Sequence, residues 1–158
     1  MDKSQVKTLR DLVCTAAEEY DQLYYVKEKA GKDISSKTFT EFKNDVLRVT
    51  DYIASVTEET VHAAVIGPTS YAYLVSFFGV VSGGNVIVPL DAQLPCADLI
   101  DHLQRADVSV FFYDSRYKPM LDAIKASCPD IKHYICLQND EENISTEKIM
   151  AEYAPAEA

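Results

Sequence analysis

The sequence predicts an α/β fold: a mostly parallel sheet with helices on both faces, plus a small N-terminal β-hairpin. From residue 61 onward, short apolar runs alternate with segments of helical periodicity. The runs are continuously apolar rather than alternating, which is typical of parallel strands that are buried on both faces. With 158 residues, of which 47% are hydrophobic, the chain is long enough to form one domain around a substantial core.

The first predicted elements are an amphipathic helix and the hairpin. Apolar residues recur at spacings of three and four from Leu9 to Tyr20 and predict a helix with an acidic outer face. The extended segments 23–26 and 34–37 enclose turn-forming residues, which predicts the hairpin. The alternative is that the first helix continues to a glycine stop at Gly31.

A capping box predicts the start of the second helix. The Thr38 hydroxyl can accept a hydrogen bond from the Glu41 backbone N–H, while the Glu41 carboxylate accepts one from the Thr38 backbone N–H. Apolar residues at helical spacing then mark a buried face as far as about Val56.

The rest of the chain repeats a strand followed by a helix. Gly67-Pro68 ends the first of these strands, and Pro95 opens a later helix, as proline does at a first helical position. The predicted elements are a strand over 61–66, a helix over 71–82, a strand over 86–90, a helix over 95–106, a strand over 108–113, a helix from about 115 to 127 and a strand over 131–137.

The predicted helix over 71–82 is apolar on every side, with Phe77 and Phe78 near its centre. A sheet can cover only one face of such a helix, so either another layer of the chain or a partner must cover the rest. Because large uncovered apolar patches tend to bind partners, we predict self-association of the chain through Phe77 and Phe78.

Charge excludes some classes of partner. The formal net charge is −10, and residues 138–158 contain six acidic residues and one basic residue. This segment is therefore predicted to be an acidic tail, partly loop or helical, beyond a domain over residues 1–137. A chain this acidic repels nucleic acid and anionic lipid, so neither is a predicted general partner.

The cellular compartment follows from the apolar stretches and the cysteines. No stretch is long enough to cross a bilayer and no signal region follows the N-terminus, so we predict a cytoplasmic location and no transmembrane segment. The cysteines form no Cys-x-x-Cys pair and are interpreted as reduced core residues. They are Cys14, Cys96, Cys128 and Cys136.

Two glycine-containing turns are the candidates for a phosphate site. Gly83-Gly84 follows a helix, where carbonyl groups are exposed, and is interpreted as a helix stop with one left-handed glycine. Gly67-Pro68-Thr69-Ser70 lies between a strand and a helix, which is the favourable polarity for phosphate. It lacks both the Gly-x-Gly-x-x-Gly and the Walker patterns, so a capped turn is the preferred interpretation.

Other reactive residue types lack the partners that their chemistry needs. Asp91 follows a central strand, as a phospho-acceptor does, but no acidic pair follows the first parallel strand and no lysine follows the last. Asp98 and Asp101 lie in a first helical turn, which acids favour anyway. The histidines share no ligand spacing, and no catalytic, cofactor-binding or metal-binding residue is predicted. The histidines are His62, His102 and His133.

Several short motifs occur in one order along residues 10–137. They are Glu18-Glu19-Tyr20, Thr38-Phe39-Thr40-Glu41, Gly67-Pro68-Thr69-Ser70, the run from Gly83 to Asp91, and Cys128-Pro129-Asp130. In this order they resemble the N-terminal subdomain of the adenylate-forming (AMP-binding) superfamily, and among its members long-chain acyl-CoA synthetases in particular.

The resemblance implies a reaction for an intact relative. Such an enzyme activates a carboxylic acid with ATP and Mg²⁺, releases pyrophosphate, and transfers the acyl group to coenzyme A. The Ser/Thr/Gly-rich loop ending in Pro-Lys-Gly that the family uses for ATP does not occur in these 158 residues. No catalytic residue of the family is therefore carried over, and the motifs present are scaffold elements.

The resulting hypothesis is that this chain is the N-terminal fragment of an ATP-dependent acyl-CoA synthetase that ligates a fatty acid to coenzyme A. The fragment itself is predicted to be inactive, and its partner is the remainder of that enzyme. The alternatives are a stand-alone, non-enzymatic regulatory or partner-binding domain of the same ancestry, and a small α/β nucleotide-binding protein.

Overall fold

The computed structural model describes residues 3–154 and follows the predicted alternation of strands and helices. Short 3-10 helices occur over Lys3–Gln5 and Ser115–Met120. The other elements are, in order, α1 (Leu9–Glu19), β1 (Tyr24–Ala30), β2 (Asp33–Thr38), α2 (Phe39–Val56), β3 (His62–Ile66), α3 (Tyr71–Ser82), β4 (Val86–Leu90), α4 (Cys96–Arg105), β5 (Val108–Tyr113), α5 (Leu121–Ser127), β6 (His133–Cys136) and α6 (Thr146–Glu152).

Strands β3 to β6 form one parallel sheet in the spatial order β4-β3-β5-β6. From β3 the chain winds to β4 on one side, and from β4 it crosses over β3 to reach β5 on the other side. The direction of winding therefore reverses between β3 and β5. The predicted α/β class with a parallel sheet is confirmed.

Helices cover both faces of the sheet. One core lies beneath α1, α2, α3 and α6, and a second lies beneath α4 and α5. In β5, Val110 and Phe112 belong to the first core, whereas Phe111 and Tyr113 belong to the second. This is why the strand is continuously apolar in sequence. None of the helices in the described part of the chain is long and apolar enough to cross a bilayer.

Strands β1 and β2 form the predicted antiparallel hairpin, so the alternative of one helix continuing to Gly31 is wrong. Gly31 has a φ of +64° in the tight turn, a conformation that glycine adopts without strain. A bulge in β1 at Tyr25 breaks the register and reorients that side chain. The Tyr25 ring stacks on Phe42 with 4.0 Å between the ring centroids, which fixes the hairpin to α2.

The capping box predicted for α2 is present. The Glu41 backbone N–H donates to the Thr38 hydroxyl at 3.2 Å, and the Thr38 backbone N–H donates to the Glu41 carboxylate at 2.8 Å. That second hydrogen bond lowers the pKa of Glu41. Helix α1 begins with the same reciprocal arrangement of Thr8 and Asp11, although aspartate replaces the more common glutamate or glutamine.

The all-apolar helix α3 is covered within the chain by α2, with α1 and α6 at its sides. The closest approach is at Gly79, where an added Cβ would lie 2.5 Å from Val49 Cγ1. At the same point the Thr50 hydroxyl donates to the Gly79 carbonyl at 2.9 Å. Phe77 and Phe78 are half-buried, and self-association through them stays a prediction.

Several boundaries differ from the sequence-based expectation; β1 extends to Ala30, Pro95 is the N-cap of α4 rather than its first residue, and two further differences have a local cause. The helix expected over 115–127 is divided, because Pro119 lacks the N–H that an α-helix needs, and its first part is the 3-10 helix over Ser115–Met120. The last strand begins later than expected, because the Ile131 N–H bonds back to the Cys128 carbonyl at 3.2 Å in the preceding turn.

The segment expected to be an acidic tail, 138–158, packs against the domain in its described part; residues 155–158 lie outside the described residues. It contains the expected helical stretch, α6. Ile149 on this helix is 0% exposed, and the Thr146 hydroxyl lies 2.9 Å from the Ser76 hydroxyl of α3. The apolar face of α6 thus completes the first core, so these residues belong to the domain rather than to a solvated tail.

We expect Gly79→Ala to destabilise the protein, because the added methyl group overlaps Val49. Overpacking of this kind costs about 1–3 kcal/mol of unfolding free energy, which urea titration can measure. Adding Val49→Ala should recover part of the loss, so the two substitutions should be non-additive in a double-mutant cycle. An unchanged unfolding midpoint for Gly79→Ala would contradict the close approach of α2 and α3.

Ile149→Ala tests whether α6 belongs to the core. Removing a completely buried isoleucine should lower the unfolding free energy by about 2–5 kcal/mol. The matched control is Lys148→Ala at the exposed neighbouring position, which we expect to change it by no more than about 0.5 kcal/mol. Equal and small effects of the two substitutions in urea titration would indicate a solvated segment instead.

Candidate functional site

The carboxyl ends of β3 and β5 form the crevice at which the winding of the sheet reverses. In open α/β sheets, ligands bind outside the carboxyl ends of the strands at such a point. Gly67 follows β3 and Asp114 follows β5 there. These two residues and their neighbours are therefore the candidate site.

Gly67 and Asp114 are in close contact across this crevice. An added Cβ on Gly67 would lie 2.8 Å from Asp114 Cβ, and the Asp114 N–H donates to the Ile66 carbonyl at 2.9 Å. Gly67 also has a φ of +152°, which residues with a side chain rarely adopt. Both the available space and the backbone conformation therefore require glycine at this position.

The Asp114 carboxylate is buried in the crevice and accepts three hydrogen bonds. The donors are the Arg116 backbone N–H at 3.0 Å, Arg116 Nε at 3.0 Å and Gln138 Nε2 at 2.9 Å. Burial by itself raises the pKa of Asp114, but these hydrogen bonds and the guanidinium charge outweigh burial, so the pKa lies below its usual value. Asp114 is thus ionised at neutral pH, and its negative charge occupies the crevice.

A second carboxylate, Asp140, connects the loop after β6 to the segment after β5. It accepts hydrogen bonds from the Glu142 N–H at 2.9 Å and from Lys118 Nζ at 3.0 Å, and both of these lower the pKa of Asp140. The Tyr113 hydroxyl, at the end of β5, donates to it at 3.5 Å. Two carboxylates, Asp114 and Asp140, therefore lie beyond the carboxyl ends of β5 and β6, each with a cation of the chain beside it.

The two turns considered for phosphate adopt the predicted conformations. Ser70 Oγ accepts a hydrogen bond from the Tyr73 N–H at 3.2 Å and caps α3. Gly84 has a φ of +76° just after α3, and the Gly83 N–H donates to the Val80 carbonyl at 3.2 Å. The first turn is a capped helix start and the second is a helix stop, as interpreted from sequence.

The other residues considered from sequence make local contacts. The Asp91 carboxylate accepts a backbone hydrogen bond within its own loop, and Asp101 pairs with Arg105 on the surface of α4 at 2.8 Å. His62 and His102 each contact a backbone carbonyl through Nδ1 at 2.7 Å. In the described part of the chain, no three His, Cys, Asp or Glu side chains are placed to hold a metal ion.

A polar cavity of about 310 Å³ lies between the hairpin, α3 and α6. Its lining carries both signs of charge, since Lys37 lines it together with Glu28 and Glu147. Lys37 Nζ lies 3.7 Å from the buried Asp45 carboxylate, to which the Tyr71 hydroxyl donates at 2.8 Å. The cation is thus already paired within the chain, and the mixed lining does not favour an anion.

Sequence analysis missed the hydrogen-bond partners of Asp114 and Asp140. Gln138 and Lys118 are far from them in sequence, and only the pairing of β5 with β6 makes them neighbours. The one available signal was that both loops follow parallel strands, whose carboxyl ends share an edge of the sheet.

The fold and the site thus define an open α/β domain. Side chains of the domain itself occupy the crevice at its switch point. The family model described as AMP-binding enzyme matches residues 14–157. The chain belongs to this family. No curated protein sequence matches the chain.

Solved structures share the fold at low sequence identity. The anthranilate CoA ligase AuaEII in complex with anthranoyl-AMP is 14% identical with a TM-score of 0.81, over 98% of this chain and 29% of that chain. Acetoacetyl-CoA synthetase from Streptomyces lividans is 13% identical with a TM-score of 0.82, over 95% and 25%. The N-terminal domain of FACL13 from Mycobacterium tuberculosis is 17% identical with a TM-score of 0.79, over 94% and 36%. This chain thus spans about a quarter to a third of the structures that it resembles.

The family resemblance implies that ATP and Mg²⁺ bind to an intact relative, and a switch-point crevice is where such a ligand would be expected. A triphosphate requires cations or free backbone N–H groups, whereas the crevice presents an ionised Asp114 whose nearest guanidinium is already paired with it. The Asp114 side chain also lies against Gly67, where even an added Cβ would be 2.8 Å from Asp114 Cβ. The residues of this crevice do not fit a nucleoside triphosphate.

We expect Asp114→Asn to lower the unfolding free energy at pH 7 by about 1–3 kcal/mol, because charge-assisted hydrogen bonds are weakened. The pKa of Asp114 in the folded state lies below its unfolded value of about 3.9. The stabilisation that the ionised Asp114 gives to the folded state is therefore complete above about pH 3.9 and is lost as the pH falls through the folded-state pKa. Urea titrations between pH 7 and pH 2.5 should therefore show a weaker acid dependence in Asp114→Asn than in the parent. The exposed Asp101→Asn is the control, and an identical acid dependence in Asp114→Asn would contradict the ionised, hydrogen-bonded state.

Proposed function

We propose that this chain is the N-terminal scaffold of an ATP-dependent acyl-CoA synthetase. The whole enzyme would convert a fatty acid, ATP and coenzyme A to acyl-CoA, AMP and pyrophosphate. The observation that carries the proposal is the family match over residues 14–157, combined with a chain that spans only 25–36% of the three ligase structures described above. The choice of a fatty acid rests on the sequence motifs, which resemble long-chain acyl-CoA synthetases.

The electrostatics of the crevice support a scaffold role. Attack of a carboxylate on a phosphate builds negative charge, which an enzyme must stabilise with fixed cations and hydrogen-bond donors. At the switch point this chain instead holds the Asp114 carboxylate, hydrogen-bonded to Arg116 and Gln138. The donors that phosphate needs would therefore come from the remainder of the enzyme, and the chain alone would be inactive.

The same geometry suggests what the domain contributes. The segments after β5 and β6 are joined by two side-chain contacts, Gln138 with Asp114 and Lys118 with Asp140. This part of the carboxyl edge would serve as a wall for an active site whose reactive groups lie on other segments.

ATP–pyrophosphate exchange tests this proposal. We expect the 158-residue chain to catalyse no exchange with any acid, whereas the polypeptide extended by the coding sequence downstream of codon 158 exchanges in the presence of Mg²⁺ and a fatty acid. Fatty acids of several lengths are compared with acetoacetate and anthranilate to test the substrate class.

Three results would contradict parts of the proposal. Exchange by the 158-residue chain alone would place the chemistry within it. A stop codon directly after codon 158 would favour a stand-alone domain. A preference of the extended enzyme for anthranilate or acetoacetate would leave the ligase assignment intact but overturn the fatty-acid substrate.

A further inference from the structure

The Asp114 carboxylate is surrounded by donors in the way that a bound anion is. Each of its two oxygens has a side-chain donor: Gln138 Nε2 lies 2.9 Å from Oδ2, and Arg116 Nε lies 3.0 Å from Oδ1. The Arg116 backbone N–H, also at 3.0 Å, is a further donor to Oδ1. These donors come from the segments after two neighbouring strands, β5 and β6.

Helix capping accounts for only one of these three hydrogen bonds. Asp114 caps the short 3-10 helix through the Arg116 backbone N–H, and serine or asparagine can cap a helix in the same way. The Gln138 amide and the Arg116 guanidinium are not required for a cap. Together they engage both oxygens of an anionic group, as charge-assisted donors do when they recognise a carboxylate.

The Gln138 donor is oriented independently of Asp114. Gln138 Oε1 accepts a hydrogen bond from the Ser115 N–H at 2.9 Å, which directs Nε2 toward the carboxylate. Asp114 is 6% exposed and lies against Gly67, whereas the side chain of Arg116 is 60% exposed. Removal of the Asp114 side chain therefore leaves a space the size of a carboxylate, which has oriented donors and can be reached from solvent along Arg116.

We propose that this position is a binding site for a small carboxylate, and that the Asp114 side chain is its resident ligand. In the parent chain the tethered carboxylate has a far higher effective concentration than a free anion and excludes it. Residue 114 therefore decides whether the switch-point crevice accepts an anion from solution. The site is independent of the proposed ligase function, because it rests on contacts within this chain alone.

Chemical rescue of Asp114→Gly by formate tests the site, because formate supplies the carboxylate that the substitution removes. At ten times its dissociation constant, formate should raise the Tm of Asp114→Gly by about 3–6 °C relative to potassium chloride of equal ionic strength, as follows from mass action. The parent should show no such rise, because Asp114 occupies the site. Formamide, which resembles formate in shape but is neutral, should also give no rise.

The Gln138 donor can be tested in the same background. The double variant Asp114→Gly/Gln138→Ala should bind formate about tenfold or more weakly than Asp114→Gly, measured from the dependence of Tm on formate concentration. The matched control is Asp114→Gly/Gln104→Ala, since Gln104 Nε2 bonds to the Ser127 carbonyl elsewhere, and its formate affinity should equal that of Asp114→Gly. In Asp114→Gly, formate should also shift the side-chain amide resonance of Gln138.

Asp114→Ser covers the case in which Asp114→Gly does not fold, because serine retains the helix cap and still leaves Gln138 and the guanidinium without a carboxylate. Its Tm should also rise with formate and not with formamide. An equal response of the parent and the folded variant to formate would overturn the proposal. So would undiminished formate affinity after Gln138→Ala, or a rise with formamide as large as that with formate.

Discussion

The close approach of α2 and α3 at Gly79 is the constraint on which the rest of the structure depends. Because position 79 has no side chain, Val49 of one helix packs against the backbone of the other, and the Thr50 hydroxyl donates to the Gly79 carbonyl at 2.9 Å. The two helices thus form one layer over a face of the sheet, and α1, the hairpin and α6 pack on that layer. A helix that is apolar on every side is stable in water only within such a layer.

A buried polar network joins the same layer to its surroundings. Asp45 on α2 is 4% exposed, and its carboxylate accepts hydrogen bonds from the Tyr71 hydroxyl and from Arg48, each at 2.8 Å. Burial and the adjacent carboxylate raise the pKa of the Tyr71 hydroxyl well above its usual value, so it remains a donor. Arg48 Nε also donates to the Tyr153 carbonyl at 2.8 Å. These hydrogen bonds connect α2, α3 and the segment after α6, and they provide the partners that a buried carboxylate needs.

The topology and the side chains of this domain have different consequences for function. The reversal of winding between β3 and β5 creates the place where α/β proteins bind ligands, but Asp114 fills that place with a charge of the wrong sign for phosphate. Membership of the AMP-binding enzyme family therefore describes the ancestry and the scaffold of this domain. The chemistry of a site depends instead on which side chains reach it.

The sequence by itself determined the features whose partners lie within a few residues. The Thr38–Glu41 capping box, the hairpin turn at Gly31 and the buried strands could be predicted because hydrogen bonding and hydrophobic periodicity are local. The contact of Gly79 with Val49, the burial of Ile149 and the pairing of Asp114 with Gln138 were decided only by the tertiary structure. Each of these joins residues tens of positions apart, or a residue to a core formed by distant elements. The acidic composition of 138–158 predicted solvation, whereas the apolar face of α6 packs into the first core through Ile149. Packing depends on which side chains share a face and not on the average charge of a segment.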